Sequence, residues 1–476
     1  MRLIKNTIIY FIGNFSTKIL AFFMLPLYTQ YLEPGDYGMV DTVQSLTQLM
    51  VPILFLKISD AVIRFLIGIK DDQHSKKVCV TNTFTVLIMG SLLSAILVPV
   101  LNQIYVHGNG VYFYFYFISY AWHVVLQQIV RSLGNSKLYA MSGSLSTVIT
   151  VGLNLIFILV LNLKAEALIL ASTGSGIAIS LVMFFGGKLY RFIDFKAINI
   201  AVLKDMLRYC IPLIPNTLCW QAITTISKMY LGSVCGLEAQ GLYAVANRFP
   251  SLITMLTSIF YLAWQEEGIR IHNTNERDST YSNVINIYIK LLCVGMLALV
   301  PLSRVYILYG LAEKYQMIWL YTPPMIFTAI LSSVNSFLGT AYLSEKNTKA
   351  ILHTSLIAAA INLIFVMSTT AMLGIWSAVA GGCLAYSVLL VIRLKDCRNY
   401  INIKLEAKSV GMCLVAIAIE LLLYYLTDET YVDALLMCWA CAVCFVVVKP
   451  IIVQLWLGVK RKGKMMREMK KKGKND

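Results

Sequence analysis

The sequence predicts an all-α membrane protein of 14 transmembrane helices: two six-helix bundles related by a parallel internal repeat, plus two C-terminal helices. Three observations predict this: the composition, the apolar segments with the charge of the loops between them, and a repeated pattern. Of 476 residues, 58% are hydrophobic and 13% charged, where soluble proteins carry roughly 25% charged residues. So much apolar surface cannot be hidden in a water-facing globule, and the solvent must be a bilayer. The net charge of +16 does not point to nucleic acid, because the excess sits in short loops and in the tail "KRKGKMMREMKKKGKND".

A membrane helix needs about 20 mostly apolar residues. The first six candidate spans are 7–31, 38–65, 78–101, 111–132, 138–161 and 166–187. The next six are 207–233, 239–263, 284–308, 317–342, 350–371 and 374–393, and the last two are 406–426 and 433–457. The connections are short and leave no room for a soluble domain. No cleavable signal peptide is expected, since the first apolar segment is long, contains Lys18 and ends in "YLEPGDYG".

Loop charge sets the orientation. With the N-terminus inside, thirty Lys and Arg fall in inside segments and only Lys164 and Lys314 outside. That imbalance predicts cytoplasmic termini and an even number of spans. The eight remaining cations are Lys18, Lys57, Arg64, Lys228, Arg248, Lys290, Arg304 and Lys449, inside or at the ends of spans.

The repeat is read from three matches in the same order. "NLIFI" at 154–158 matches "NLIFV" at 362–366, each in the fifth span of its half. Thr173-Gly174 falls on Gly381-Gly382 at the same offset. "LEPGDYGMV" (32–40) resembles "LEAQGLYAV" (237–245), each between the first and second spans of a half. Six spans per half is even, so both halves enter from the same side and the pseudo-twofold axis lies along the membrane normal. The expected division is 1–190 and 191–395 for the two lobes, 396–460 for the appended spans and 461–476 for a basic cytoplasmic tail. The 11 cysteines show no disulfide framework, and "CWACAVC" (Cys438, Cys441, Cys444) reads as small residues packing in a membrane helix.

The N-terminal "NTIIYFIGNFSTKILAFFMLPLYTQYL" followed by "YGMVDTV" resembles the polysaccharide-exporter branch of the multidrug/oligosaccharidyl-lipid/polysaccharide superfamily, the O-antigen and capsule repeat-unit flippases. The resemblance implies a V-shaped pair of bundles in the bacterial cytoplasmic membrane. It also implies movement of an undecaprenyl-pyrophosphate-linked oligosaccharide to the outer leaflet. Membrane lipids and the lipid-linked cargo are the implied partners, with polysaccharide polymerase and chain-length machinery as candidates beyond them. No cofactor is expected. A Na+ or H+ gradient is the candidate driving force.

That cargo gives a reason for charge inside spans, because a pyrophosphate cannot cross hydrocarbon and fixed cations in a wet cavity would receive it. The candidate substrate-binding residues are Asn14 and Lys18 on the first span and Lys57, Asp60 and Arg64 on the second, spaced i, i+3, i+7. They continue with Lys228 on the seventh span and Arg248 on the eighth. Asp41, Gln44 and Gln48 form a further stripe, and Gln221, Thr224, Thr225 and Lys228 are expected to share one face. Lys290, Arg304 and Lys449 are expected to snorkel to headgroups, and Glu420 to make a helix–helix contact.

Three other functions compete. A multidrug antiporter of the same superfamily would use membrane carboxylates, which the first span lacks. A lipid II flippase shares architecture and cargo chemistry. A membrane polymerase or glycosyltransferase would carry a large outer loop or catalytic region, and neither is evident.

Overall fold

The computed structural model describes residues 20, 22–66, 72–106, 108–271, 274–345, 348–426, 434–445 and 449. Among them there are helices and turns and no strand. The helices are α1 (Leu25–Tyr31), α2 (Pro34–Leu54), α3 (Ile58–Leu66), α4 (Gln73–Leu101), α5 (Gly110–Ser132), α6 (Ser136–Leu155) and α7 (Ala165–Gly186). They continue with α8 (Ile200–Cys210), α9 (Leu213–Gln221), α10 (Ser227–Ala246), α11 (Arg248–Arg270), α12 (Arg277–Gly310) and α13 (Glu313–Gln316). The chain ends with α14 (Thr322–Ser344), α15 (Thr348–Leu373), α16 (Ile375–Cys397), α17 (Ala407–Leu426) and a short apolar α18 (Ala434–Phe445).

Eight helices among the described residues are long and apolar enough to cross a membrane. The predicted first and last spans lie partly outside the described residues. Others are broken, for local reasons. In the second span, Pro52 has no N–H to give the carbonyl four residues back. The helix stops at Leu54, and Leu56 and Lys57 turn through left-handed backbone at φ 49° and 52° before α3 begins. In the seventh span, α9 passes through a π-helical turn, Ala222–Ile226, into α10. Gly236, at φ 90°, then makes the turn into the eighth span, a conformation that glycine adopts without a Cβ penalty.

Helix starts follow ordinary capping chemistry. Asp72, Asn109, Asn135 and Asn199 accept backbone N–H bonds at the heads of α4, α5, α6 and α8. Glu33 and Asp36 form a capping box at α2, with Pro34 in the first turn.

The helices gather into two units that interleave along the chain. The first comprises the described parts of Met1–Arg248 together with Leu311–Tyr321 and Leu352–Leu389. Within it α5, α6 and α7 pack together, and Gly176 lies against Ser119. Asn154 of α6 donates to the Tyr28 hydroxyl at 2.8 Å, and Asn362 of α15 donates to the Ser227 hydroxyl at the start of α10. These are the two asparagines of the repeated "NLIF" motif, each tying a fifth span to the first span of its half. Asn154→Leu or Asn362→Leu is expected to cost about 0.6–1.7 kcal/mol, the range for interhelical hydrogen bonds in membranes. Thermal unfolding of each purified variant checks this, and an unchanged midpoint for both would count against it.

The second unit comprises Phe249–Gly310, Thr322–Ile351 and the described part of Leu390–Asp476. Phe260, Trp264, Tyr281, Tyr288 and Phe337 form its aromatic core, with Phe260 and Tyr288 stacked at 4.3 Å between centroids. The connection into α17 runs along α12: Asn286 donates to the Lys404 carbonyl at 2.9 Å and accepts from the Glu406 N–H at 2.8 Å.

Three sequence expectations are corrected here. Arg304 does not snorkel. It is 2% exposed, donates to the Tyr424 carbonyl at 2.8 Å and lies over that ring at 5.0 Å. Lys290 is held by Glu406 at 2.6 Å. Arg393, counted with the inside loops, is 1% exposed within α16 and donates to the Asn335 carbonyl. In each case the charge meets a partner on a neighbouring segment: the Tyr424 carbonyl, the Glu406 carboxylate or the Asn335 carbonyl.

Candidate functional site

Two polar stripes read from the sequence meet in the first unit. Asp41 of α2 accepts from Lys228 of α10 at 2.8 Å. Seven residues further along α2 is Gln48, and seven residues back from Lys228 is Gln221. Gln48 and Gln221 line one cavity of about 240 Å³. The same step in opposite directions means that the two stripes run antiparallel, face to face.

At the Asp41 end the network is closed. The second carboxylate oxygen of Asp41 accepts from Gln240 at 3.0 Å and from Ser45 at 3.4 Å. Gln240 in turn accepts from the Thr42 hydroxyl at 3.1 Å. Asp41 is 9% exposed, and Thr42, Ser45 and Gln240 are buried. The helices approach to backbone distance: a Cβ on Gly38 would lie 1.8 Å from the Leu237 carbonyl oxygen, and one on Gly241 would lie 1.8 Å from that of Pro34. The glycines of the repeated "LEPGDYG" and "LEAQG" motifs are the surfaces in contact.

Arg248 lies beside this end. Its guanidinium is 5.9 Å from the Tyr37 ring centroid and within electrostatic reach of Asp41 and Tyr28. Among the described residues, Lys228 and Arg248 therefore both act on Asp41. A strap from the segment Leu311–Tyr321 covers the neighbouring turn: Lys314 meets Glu33 at 2.8 Å, and Tyr315 donates to the Leu32 carbonyl at 3.1 Å.

The cavity end is wetter. Gln48, Lys57, Ser59, Tyr120 and Gln221 supply polar groups to its wall, and Val51, Pro52, Phe55, Val124 and Val125 are among the apolar ones. Lys57 reaches this wall because the break after Pro52 takes it out of the helix. Left-handed backbone at a non-glycine residue costs of order 1–2 kcal/mol and collects at functional sites.

The predicted residues thus fall out as follows. Lys57 and Asp60 pair at 2.8 Å. The expected i, i+3, i+7 register with Arg64 is not formed, because Lys57 is not helical; Arg64 is exposed on α3. Lys228 and Arg248 reach one cluster. Thr224 and Thr225 do not share a face: the π-turn leaves Thr224 exposed, and buried Thr225 donates to Gln221. Asn14 and Lys18 lie outside the described residues. Asp41, Gln240, Tyr37 and the glycine pair were not singled out as site residues by sequence. Asp41 was visible as a stripe, but its partner 187 residues away was not.

Residues 3–264 match the family described as "Polysaccharide biosynthesis protein". No curated protein matches the chain. Among solved structures, the chain is similar to the lipid II flippase MurJ in an inward closed conformation. The identity is 13% and the TM-score 0.72, covering 94% of this chain and 99% of that one. It is also similar to an inward-facing multidrug resistance MATE family transporter of the MOP superfamily, at 15% identity and TM-score 0.65, covering 82% and 97%. A third is a MOP superfamily transporter from Pyrococcus furiosus, described as having a binding pocket of reverse polarity, at 17% identity and TM-score 0.58, covering 83% and 95%. The match spans more than half of the sequence, and the helices are arranged as in MOP transporters: this chain belongs to the polysaccharide biosynthesis protein family.

Proposed function

We propose that this protein is a flippase that carries undecaprenyl-pyrophosphate-linked oligosaccharide repeat units across the bacterial cytoplasmic membrane by alternating access, for surface polysaccharide synthesis. The observation that carries the reading is the continuous polar run along α2, α9 and α10. It offers amides, hydroxyls and the Lys57–Asp60 pair at the cavity, and two cations to one carboxylate at the closed end. Sugars need the first kind of surface and phosphates the second. With cytoplasmic termini, the Asp41–Lys228 end faces outward and the cavity opens toward the cytoplasmic half, where the cargo is made. A cationic drug suits the site less well, because Asp41 is already held by Lys228. Lipid II is the second reading, favoured by the likeness to the MurJ structure.

The test is transport by purified protein in vesicles, with a fluorescent lipid-linked oligosaccharide supplied on one face. Lys57→Ala is expected to reduce the rate about 10- to 100-fold, the equivalent of losing one charged hydrogen bond of about 1.5–3 kcal/mol. Replacing the cargo with lipid II separates the two flippase readings. Equal rates for variant and wild type on both cargoes would sink the proposed site.

A further inference from the structure

The second unit holds a carboxyl group that the transport site does not use. Glu420 of α17 is 1% exposed, and among the described residues neither of its carboxyl oxygens has a hydrogen-bond partner. It lies on the stripe Cys413, Ala416, Ile417, Glu420 and Tyr424, the buried face of α17, and α17 packs against α12. An ionised carboxylate left bare in such a place is so costly that the group takes a proton instead.

The groups that face it from α12 are few. Lys290 is committed to Glu406 near the start of α17, and Cys293 sits beside Cys413. Arg304 holds the Tyr424 carbonyl at 2.8 Å. Tyr424 is four residues beyond Glu420, so the carbonyl that Arg304 holds belongs to a residue about one helical turn, roughly 5.4 Å, further along α17. The short α18 contributes Trp439, Ala442 and Val443 to an apolar cavity of about 630 Å³ whose wall also includes Cys413, Ala416 and Ile419 of α17 and Lys290 of α12. Its titratable groups are Cys438, Cys441 and Cys444. Among the described residues, the cation on the packed face that is nearest along the helix is therefore Arg304.

We propose that Glu420 is a proton-binding site in the appended spans. It carries a proton in the conformation described here. It releases that proton to water only when α17 moves by about a turn against α12, so that the new carboxylate pairs with Arg304. Proton binding and the α12–α17 contact are then one equilibrium. This extends the transporter reading, since it gives the cycle a proton to exchange, but the site itself does not depend on the cargo.

The experiment is infrared spectroscopy of the full-length protein in lipid nanodiscs, as a difference between wild type and Glu420→Gln. At neutral pH the difference should contain the carbonyl band of a protonated carboxylic acid. Arg304→Gln should move the loss of that band to higher pH, because the ionised form loses its partner. If Glu420→Gln folds poorly, Glu420→Asp should shift the band instead. Absence of the band at neutral pH overturns the site. A band that titrates identically in Arg304→Gln overturns the pairing. Transport by wild type should change with pH in a way that Glu420→Gln does not. If the band is present and transport shows no such difference, the coupling fails and the proton site stands.

Discussion

Asp41→Ala is expected to destabilise the protein by about 3–5 kcal/mol and to abolish transport, because it leaves Lys228 charged, buried and unmatched. Asp41→Asn should be milder, since an amide still accepts from Gln240. The exchange Asp41→Lys with Lys228→Asp should recover much of the stability that either single change loses. Replacing both with apolar residues, Asp41→Leu with Lys228→Met, should be as stable as wild type or more so. That variant should nevertheless be impaired in transport, because the cargo's phosphates would lose the Lys228 cation and keep only Arg248. Unfolding midpoints and vesicle transport are measured for wild type and all six variants; wild type, Asp41→Lys, Lys228→Asp and their double form a double-mutant cycle. If the losses of the two charge exchanges simply add, the ion pair is not the interaction that closes this end. If the apolar pair transports normally, Lys228 does not meet the cargo.

Most of the architecture was legible because membrane spans are long, one-dimensional signals. The predicted boundaries at 78–101, 166–187 and 406–426 lie close to α4, α7 and α17. The breaks were less legible. Pro52 removes a helical hydrogen bond, but no local rule says that Leu56 and Lys57 would both go left-handed. The site was half legible. Polar stripes at helical spacing marked Asp41 with Gln48, and Gln221 with Lys228, but Thr224 left its stripe at the π-turn. That they face each other is a tertiary fact, with Asp41 and Lys228 187 residues apart in sequence. The same limit applies to Arg304, whose position near a span end suited snorkelling until Tyr424 supplied a carbonyl and a ring. The repeated motif was read as ancestry. In the structure it is also a contact surface, made by Gly38 of one copy and Gly241 of the other.

That contact gives the second large effect. Gly38→Ala and Gly241→Ala should each prevent α2 and α10 from closing. The added methyl carbon would sit 1.8 Å from a backbone carbonyl oxygen on the opposite helix, and backbone cannot rotate away as a flexible side chain can. Overpacking in a well-packed interior costs typically 1–3 kcal/mol, and here the strain also pulls apart the neighbouring pairs, Asp41 with Lys228 and Thr42 with Gln240. Closure of this end and its polar network should therefore be lost together. Gly35→Ala is the control: it lies one turn away on the same helix, and a Cβ there meets nothing within 4 Å. Transport should be near normal for Gly35→Ala and lost for the other two at equal protein level. Exposure of the closed end can be read directly by placing a cysteine at Ser45, which is fully buried, in a background free of other cysteines. A membrane-impermeant maleimide should label it in the Gly38→Ala and Gly241→Ala proteins and leave it unlabelled with Gly35→Ala. If Gly38→Ala and Gly35→Ala transport and label alike, the close approach is not a working part of the cycle, and the outward closure assigned to this pair of helices is wrong.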